Sequence, residues 1–190
     1  MVDSVLAQAR LTLSMVDGIA ASVGPGAFTG VRISISVAQG LAFGSGLPVV
    51  PVSTLEALAW QAMRGGAERV VACLDARMGE IYWGCFALRP CGDLIACGAP
   101  AIGSATAVIL PFSGTVHGIG RGFAAYPELA ERVGITLPPG AATALPDARD
   151  MVVLGAKRLA AGLGRDPMHL SPLYLRDKVA LTESERSAAR

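Results

Sequence analysis

The stretch from Gly24 to Gly30 constrains the fold of this chain most strongly, because it joins an apolar strand directly to a helix. Ile19 to Val23 is an apolar run of strand length, and Gly24-Pro25-Gly26 ends it. The helical spacing of the apolar residues that follow predicts a helix from Thr29 to Ala42. A strand, a tight turn and a helix in immediate succession predict a layered α/β lobe.

The predicted helix is apolar on two sides. One apolar stripe, at helical spacing, contains Val31, Ile35, Ala38 and Ala42. A second stripe on nearly the opposite side contains Ile33, Val37 and Leu41, and the narrow polar stripe between them contains Arg32, Ser36 and Gln39. Because one apolar face is enough to cover a sheet, the second must be covered by the first helix of the chain or by another subunit. The sequence leaves both coverings open.

The glycine turn also suggests a phosphate site, since the start of a helix presents free backbone N–H groups and a positive dipole end. The spacing does not support a nucleotide-binding fingerprint. The turn lacks the lysine and the length of a P-loop, and Gly24, Gly26 and Gly30 miss the GxGxxG spacing by one residue. The favoured interpretation is a crossover in which the glycines permit close backbone packing.

The other predicted elements continue the α/β pattern. Helices are predicted from Val2 to Arg10, from the Ser53–Glu56 capping box to about Met63, over Pro127–Val133, and from Asp147 to about Leu163. Strands or extended segments are predicted at Leu47–Val52, Arg69–Leu74, Ile81–Leu88, Thr115–Ile119 and Leu173–Leu175. Gly65-Gly66 predicts a boundary between an N-terminal lobe, residues 1–65, and a C-terminal lobe, residues 66–190.

Composition excludes several classes of function. The formal net charge is +1 and only 16% of the residues are charged, so the chain has no broad basic field for nucleic acid. Asp3, Gln8 and Arg10 interrupt the opening stretch, so no signal peptide is expected. The sequence contains no uninterrupted apolar run of about twenty residues, so no membrane span is expected.

The spacing of the cysteines and histidines does not match that of the ligands of a metal site. Cys73, Cys85, Cys91 and Cys97 contain no CxxC spacing. The two histidines, His117 and His169, lie far apart in the sequence. We expect buried, reduced thiols, with a Cys91–Cys97 disulfide as the weaker alternative.

Several other polar residues are weak candidates for chemistry. Asp75, Arg77 and Glu80 around one hairpin are typical of a solvated turn with an ion pair. No GxSxG elbow surrounds Ser22, Ser34 or Ser36. Tyr82 and Trp83 alternate along a strand, so they face opposite sides and one of them is expected in the core. A solvated charged end is the default for Arg176, Asp177 and Lys178, with contact to RNA or to a partner protein as the alternative.

Four blocks of sequence carry a resemblance to a known family. VGPGAFTGVRISISVAQGLA followed by LPVVPVSTLEALA resembles the signature of the TsaB (YeaZ) family, bacterial components of the machinery that makes threonylcarbamoyladenosine in tRNA. The resemblance continues in order through LDARMGEIYWGCF, GIGRGFAAYPEL and LSPLYLRDKVA. It spans nearly the whole chain.

The resemblance implies a two-lobed actin/hexokinase-like α/β fold built on ribonuclease H-like sheets. Family members open with a β-hairpin carrying an Asp-Thr motif, whereas this chain starts inside the helix that follows. We therefore expect a truncated N-terminal lobe, with Met1 either an internal start or an artificial boundary of the expressed piece. Ala27 stands where the family usually has serine, which makes a direct phosphate role there less expected.

The same resemblance implies a noncatalytic subunit that docks and supports TsaD, the catalytic subunit. TsaD uses an HxxxH helix for metal, and this chain has no such pair, so no catalytic, cofactor or metal residue is expected. Expected partners are a TsaD-like subunit, a TsaE-like ATPase through the complex, tRNA indirectly and a second copy as a homodimer, in the cytoplasm. A nucleotide is expected only at the interface with TsaD. The alternative is a nucleotide-dependent enzyme of the actin/hexokinase-like superfamily.

In the family, the first two helices form the partner interface. They correspond here to about Val2–Arg10 and Thr29–Ala42. The residues expected on the partner-binding surface are Val5, Gly26, Phe28, Thr29, Arg32, Ile33, Ser36, Val37 and Gly40.

Overall fold

Two β-sheets and six α-helices organise the chain, which a computed structural model describes over residues 2–176. The strands are β1 (Ile19–Ser22), β2 (Val49–Val52), β3 (Arg69–Arg77), β4 (Glu80–Leu88), β5 (Leu94–Ala96), β6 (Ala101–Ser104), β7 (Val116–Ile119) and β8 (Ile135–Thr136). The helices are α1 (Val2–Ala9), α2 (Phe28–Ser45), α3 (Thr54–Arg64), α4 (Gly122–Ala125), α5 (Glu128–Val133) and α6 (Ala148–Ala160).

The smaller sheet pairs β1 with β2 in parallel, with Ile19 opposite Val49. Both strands contact α2 and α6. Ile35 and Ala42 of α2 are buried in one hydrophobic cluster with residues of both strands. At Gly155, α6 lies so close to β1 that an added Cβ would come within 2.5 Å of the Ala20 Cβ.

The larger sheet has six strands in the order β5-β4-β3-β7-β8, and β6 pairs with β4 as well. β3 and β4 form an antiparallel hairpin, while β7 pairs in parallel with β3 and with β8. Leu55 and Leu58 of α3 form one hydrophobic core with residues of the sheet. Phe123 of α4 and Leu129 of α5 belong to a second core, also formed with strand residues.

Helix α3 is held at its start by the predicted capping box. The Ser53 hydroxyl accepts from the Leu55 N–H, and Glu56 Oε2 accepts from the Ser53 N–H at 2.9 Å. The other carboxylate oxygen of Glu56 binds Arg158 of α6 at 2.5 Å. A second ion pair joins the same helices where Arg64 lies 3.0 Å from Asp150, whose side chain is buried. These contacts fix α6 against α3.

The predicted α/β class and most predicted elements are confirmed, with changed bounds. Helix α2 runs on to Ser45 and ends at Gly46, whose φ of 67° suits a glycine. Helix α6 ends at Ala160 rather than near Leu163. The sequence pattern missed β5, β6, β8 and α4, all four residues or fewer in length.

The lobe boundary at Gly65-Gly66 stays a prediction. Within the described residues, no helix is long and apolar enough to cross a membrane.

Candidate partner-binding surface

Helix α2 is buried on one side only. Ile35, Ala38 and Ala42 are buried against the small sheet. On the other side, Ile33 is 58% exposed and Val37 is 49% exposed. The second apolar stripe predicted from the sequence is therefore present and largely open.

The first helix does not cover this stripe. No residue of α1 is buried, and Val5 is 59% exposed. Of the two coverings that the sequence left open, burial by the first helix is thus wrong. The apolar stripe of α2 remains available to another subunit.

All nine residues predicted for partner binding are exposed. Six of them line a shallow groove of about 440 Å³ along α2: Phe28, Thr29, Arg32, Ile33, Ser36 and Val37. Gly40 continues the same helix, and a Cβ added there would meet no atom within 4 Å. Val5 lies apart on α1, and Gly26 lines a neighbouring cleft. Their role in binding stays a prediction.

An aromatic and cationic cluster stands at the start of α2. The guanidinium carbon of Arg32 lies 3.8 Å from the Phe28 ring centroid and 6.0 Å from that of Tyr174. Arg32 Nε donates to the Tyr174 hydroxyl at 3.0 Å. The prediction missed Tyr174 as a part of this surface, although it lies in the conspicuous segment Leu173-Tyr-Leu175. Its position follows from a backbone bond, since the Leu173 N–H donates to the Val23 carbonyl at 2.8 Å.

A cleft of about 1040 Å³ opens beside the glycine turn. Its lining comes from the turn, the β3–β4 hairpin, α4 and the segment that ends at Arg176: Pro25, Gly26, Ala27, Phe28, Val31, Leu74, Asp75, Ala76, Arg77, Tyr82, Arg121, Ala124, Ala125, Leu145, Leu173, Tyr174, Leu175 and Arg176. Gly24 has a φ of 95°, a backbone conformation that favours glycine, and an added Cβ would press on Val31 at 3.3 Å. The interpretation of the turn as a close-packed crossover fits this geometry.

The charged residues of the β3–β4 hairpin form two ion pairs, whereas the sequence predicted a solvated turn with one. Arg77 and Asp75 form the predicted exposed ion pair, at 3.1 Å. Glu80 instead pairs with Arg176 at 2.5 Å. The Arg176 side chain is only 16% exposed, so the default of a solvated end is wrong for this residue, because the hairpin supplies its acceptors. Asp177 and Lys178 lie outside the described residues.

The four cysteines are unpaired, so the Cys91–Cys97 disulfide is not formed. Cys73 and Cys85 are buried as expected, and Cys97 is half-buried. Burial, with the nearby Asp75 carboxylate, raises the pKa of the Cys73 thiol to about 12. Burial, with Cys97 nearby, raises the pKa of Cys85 to about 11.

Cys91 corrects the expectation of buried thiols, since it is exposed on the turn between β4 and β5. Over residues 2–176, no three His, Cys, Asp or Glu side chains gather into a group that could hold a metal ion.

Ser22 is one of the three serines considered as nucleophiles in the sequence. Its hydroxyl lies 3.0 Å from the hydroxyl of Thr54.

Tyr82 and Trp83 face opposite sides of β4, as predicted. Tyr82 lines the cleft, whereas Trp83 packs against the hydrophobic core that contains Ile81 and Phe123. They form no common stacking surface for a base.

The chain is similar to proteins of one tRNA modification pathway. Residues 1–184 match the family model described as TsaD, tRNA N6-adenosine threonylcarbamoyltransferase. The chain is 38% identical to the tRNA threonylcarbamoyladenosine biosynthesis protein TsaB of Escherichia coli over 184 residues, which cover 95% of this chain and 79% of that protein. It is 35% identical to TsaB of Haemophilus influenzae, over 94% of this chain and 78% of the relative.

Solved structures agree with these relatives. YeaZ from Pseudomonas aeruginosa superposes with a TM-score of 0.83 at 41% identity, covering 92% of this chain and 82% of that one. A second structure from the same organism, described as an uncharacterized protein with similarity to peptidase YEAZ, gives a TM-score of 0.84 at 42% identity, covering 93% of this chain and 81% of that one. The actin/hexokinase-like fold expected from the sequence is confirmed by this match.

Proposed function

This chain belongs to the TsaB (YeaZ) family of tRNA threonylcarbamoyladenosine biosynthesis proteins, and we propose that it serves there as a noncatalytic subunit that docks and supports a TsaD-like catalytic subunit. The proposed docking surface is the exposed face of α2, which we call the α2 face: Phe28, Thr29, Arg32, Ile33, Ser36, Val37 and Gly40.

The exposure of Ile33 and Val37 carries the proposal. Both are β-branched apolar residues in the middle of a helix whose opposite side is buried, and about half of each side chain is open to water. Full burial of such a side chain contributes roughly 1.5–3 kcal/mol. A partner helix laid along the α2 face would therefore gain several favourable contacts, and the bare backbone at Gly40 lets it approach closely.

The noncatalytic role rests on the chain's own residue types. The sequence has two histidines, far apart, and so lacks the HxxxH pair that TsaD uses for metal. Its charge is close to neutral, so we expect tRNA to be held by the complex rather than by this subunit alone. A TsaE-like ATPase would join through the complex, a nucleotide would bind only at the interface with TsaD, and a homodimer through the α2 face is a competing assembly. We place the protein in the cytoplasm.

Co-purification with a TsaD-like subunit tests the docking surface. The test variant is Val37→Glu, which puts a carboxylate in the middle of the α2 face. The matched control is Val152→Glu, since Val152 is also a valine of a helix and is 61% exposed, but lies on α6. We expect Val37→Glu to lose the complex while its circular dichroism and melting temperature stay those of the wild type. Equal recovery of the complex with both variants would contradict the proposal.

The alternative, a nucleotide-dependent enzyme, has one observation in its favour. The cleft beside the glycine turn is large, and Arg77, Arg121 and Arg176 contribute cationic side chains to its lining. Arg77 and Arg176 already pair with carboxylates, which leaves less positive charge for a phosphate. Steady ATP hydrolysis by the isolated chain, lost in an Arg121→Gln variant, would favour the enzyme over the docking subunit.

A further inference from the structure

We propose that Cys85 and Cys97 are a redox-sensitive pair, and that their oxidation to a reversible disulfide fixes the end of β5 against β4. The two residues continue the pairing of these strands. Phe86 of β4 lies opposite Ala96 of β5, so Cys85 and Cys97 are the next pair in the antiparallel register. The Cys97 N–H donates to the Cys85 carbonyl at 2.7 Å, and the pairing therefore extends to both residues.

Both thiols lie on the same face of the large sheet. Residues directly opposite each other on antiparallel strands place their side chains on one face. Cys85 is buried in the hydrophobic core that contains Phe123, and Cys97 packs against that same core. Hydrogen-bonded partners in an antiparallel ladder have Cα atoms about 5.5 Å apart, within the range of about 4.4–6.8 Å that a disulfide joins. A bond between the two thiols therefore needs only a small movement of the backbone.

The chain allows that movement at Cys97. Strand β5 has three residues and ends at Ala96, so Cys97 lies just beyond the strand. Gly98 follows with a φ of 116°, and a Cβ added to it would meet no atom within 4 Å. The end of β5 can thus move toward β4 without displacing the buried core.

The other two cysteines are not placed for this bond. Cys91 lies on the turn between β4 and β5, beyond the opposite end of β5 from Cys97, and its thiol donates to Asp93 Oδ2 at 3.3 Å. Cys73 lies on β3, where its sulfur packs so closely against α4 that a Cβ added to Gly122 would overlap it. Cys97 therefore has Cys85 as its paired neighbour.

The oxidant we propose is a hydroperoxide such as hydrogen peroxide. Cys97 is half-buried whereas Cys85 is buried, so the oxidant reaches Cys97 first. The Cys97 thiolate attacks one peroxide oxygen and the O–O bond breaks, which leaves a sulfenic acid on Cys97 and releases one water.

The second step closes the disulfide. The Cys85 sulfur attacks the Cys97 sulfur, the S–O bond breaks, and the departing hydroxide takes the Cys85 proton to form a second water. Two thiols and one hydrogen peroxide thus give one disulfide and two waters, and two electrons pass from sulfur to oxygen. A dithiol reductant reverses the bond by thiol–disulfide exchange.

Mild oxidation of the full chain carrying Cys91→Ser tests this, because that variant lacks the exposed thiol. The protein is treated with hydrogen peroxide, its remaining thiols are alkylated, and the unfolded chain is cut before each aspartate. Cys85 then lies in the fragment Asp75–Gly92 and Cys97 in the fragment Asp93–Pro146. We expect mass spectrometry to find these two fragments joined, and to find them separate after reduction with dithiothreitol.

The melting temperature gives a second measurement. The disulfide restricts the unfolded chain between residues 85 and 97, so the oxidised protein should melt about 5 °C higher than the reduced protein. The matched control adds Cys97→Ala to the same chain. It should give no joined fragments, and peroxide should leave its melting temperature unchanged.

Three results would overturn the inference. The first is the recovery of Cys85 and Cys97 in separate fragments after peroxide treatment, whether as alkylated thiols or with Cys97 oxidised alone. The second is a bond from Cys97 to the fragment Asp17–Leu74, which contains Cys73. The third is a Cys85–Cys97 bond that leaves the melting temperature unchanged, since the end of β5 would then not be fixed by it. None of these measurements involves the α2 face, so the proposed docking function stands or falls separately.

Discussion

Nη2 of Arg176 lies 2.5 Å from Oε2 of Glu80, so the end of the described chain is joined to the first residue of β4. The same nitrogen donates to the Ala76 carbonyl at 3.1 Å. Three residues earlier, the Leu173 N–H is bonded to Val23 beside the small sheet. The segment from Leu173 to Arg176 therefore lines the cleft and connects the residue before the glycine turn to the hairpin.

Arg176→Met should remove the contacts of this residue with Glu80 and the Ala76 carbonyl. The methionine keeps the apolar stem but removes the charge and the donors, so we expect the free energy of unfolding to fall by about 1–2 kcal/mol. Glu80→Gln should cost less, because 39% of the Glu80 side chain is exposed and water screens the pair. Urea unfolding followed by circular dichroism measures both effects.

The control for this prediction is Arg77→Met. Arg77 also belongs to the hairpin and to an ion pair, but its side chain is 86% exposed, so little change is expected. Equal free energies of unfolding for Arg176→Met and Arg77→Met would show that the contacts of Arg176 with the hairpin contribute nothing to stability.

Sequence patterns within single helices were enough to predict much of the fold. The capping box spans only the four residues from Ser53 to Glu56 and forms as predicted. The two stripes of α2 follow from helical periodicity alone, which is why Ile35 was expected to be buried and Val37 to need another cover. Features that depend only on the residues of one helix can be predicted from the sequence of that helix.

Distant contacts could not be inferred in the same way. Tyr174 lies 142 positions from Arg32, and Arg176 lies 96 positions from Glu80. Only the fold brings these side chains together. The short strand β6 is likewise defined by its pairing with β4, because four residues show too little alternation to stand out. The candidate site was therefore predicted on α2 and missed where the C-terminal segment joins it.

Asp147 should make stability depend on pH in the acid range. Its carboxylate accepts from the side chain and the backbone N–H of Arg149 at the start of α6, and these bonds lower its pKa from 3.8 to about 2. Since the folded pKa lies below the unfolded one, this stabilisation is present above about pH 4 and is lost as the pH falls toward 2.

The Asp147→Asn variant checks this dependence. Asparagine still caps the helix, so the loss relative to the wild type reflects mainly the charge. The gap between the melting temperatures of the two proteins should be widest at neutral pH and should close between about pH 4 and pH 2. In the Arg149→Met protein, an NMR titration should find the pKa of Asp147 closer to 3.8. A gap that stayed constant with pH would refute the argument.

The four thiols should react at very different rates. At pH 8, a thiol with a pKa of about 12 is ionised in roughly one molecule in ten thousand, and the thiolate is the reactive form. Cys73, with that pKa, and Cys85, with a pKa of about 11, are also buried, so both should react only when the protein opens. Exposed Cys91 should be modified first by a disulfide reagent such as dithionitrobenzoate.

Mass spectrometry of peptides from briefly labelled protein assigns the sites. The Cys91→Ser variant should lack the fastest phase and keep the wild-type melting temperature, because that side chain packs against no core. Adding urea to the unfolding midpoint should bring Cys73 and Cys85 into the labelled set together, since both lie in the hydrophobic core on one side of the large sheet. Modification of either residue as fast as Cys91 in the native protein would mean that this core opens far more readily than its packing implies.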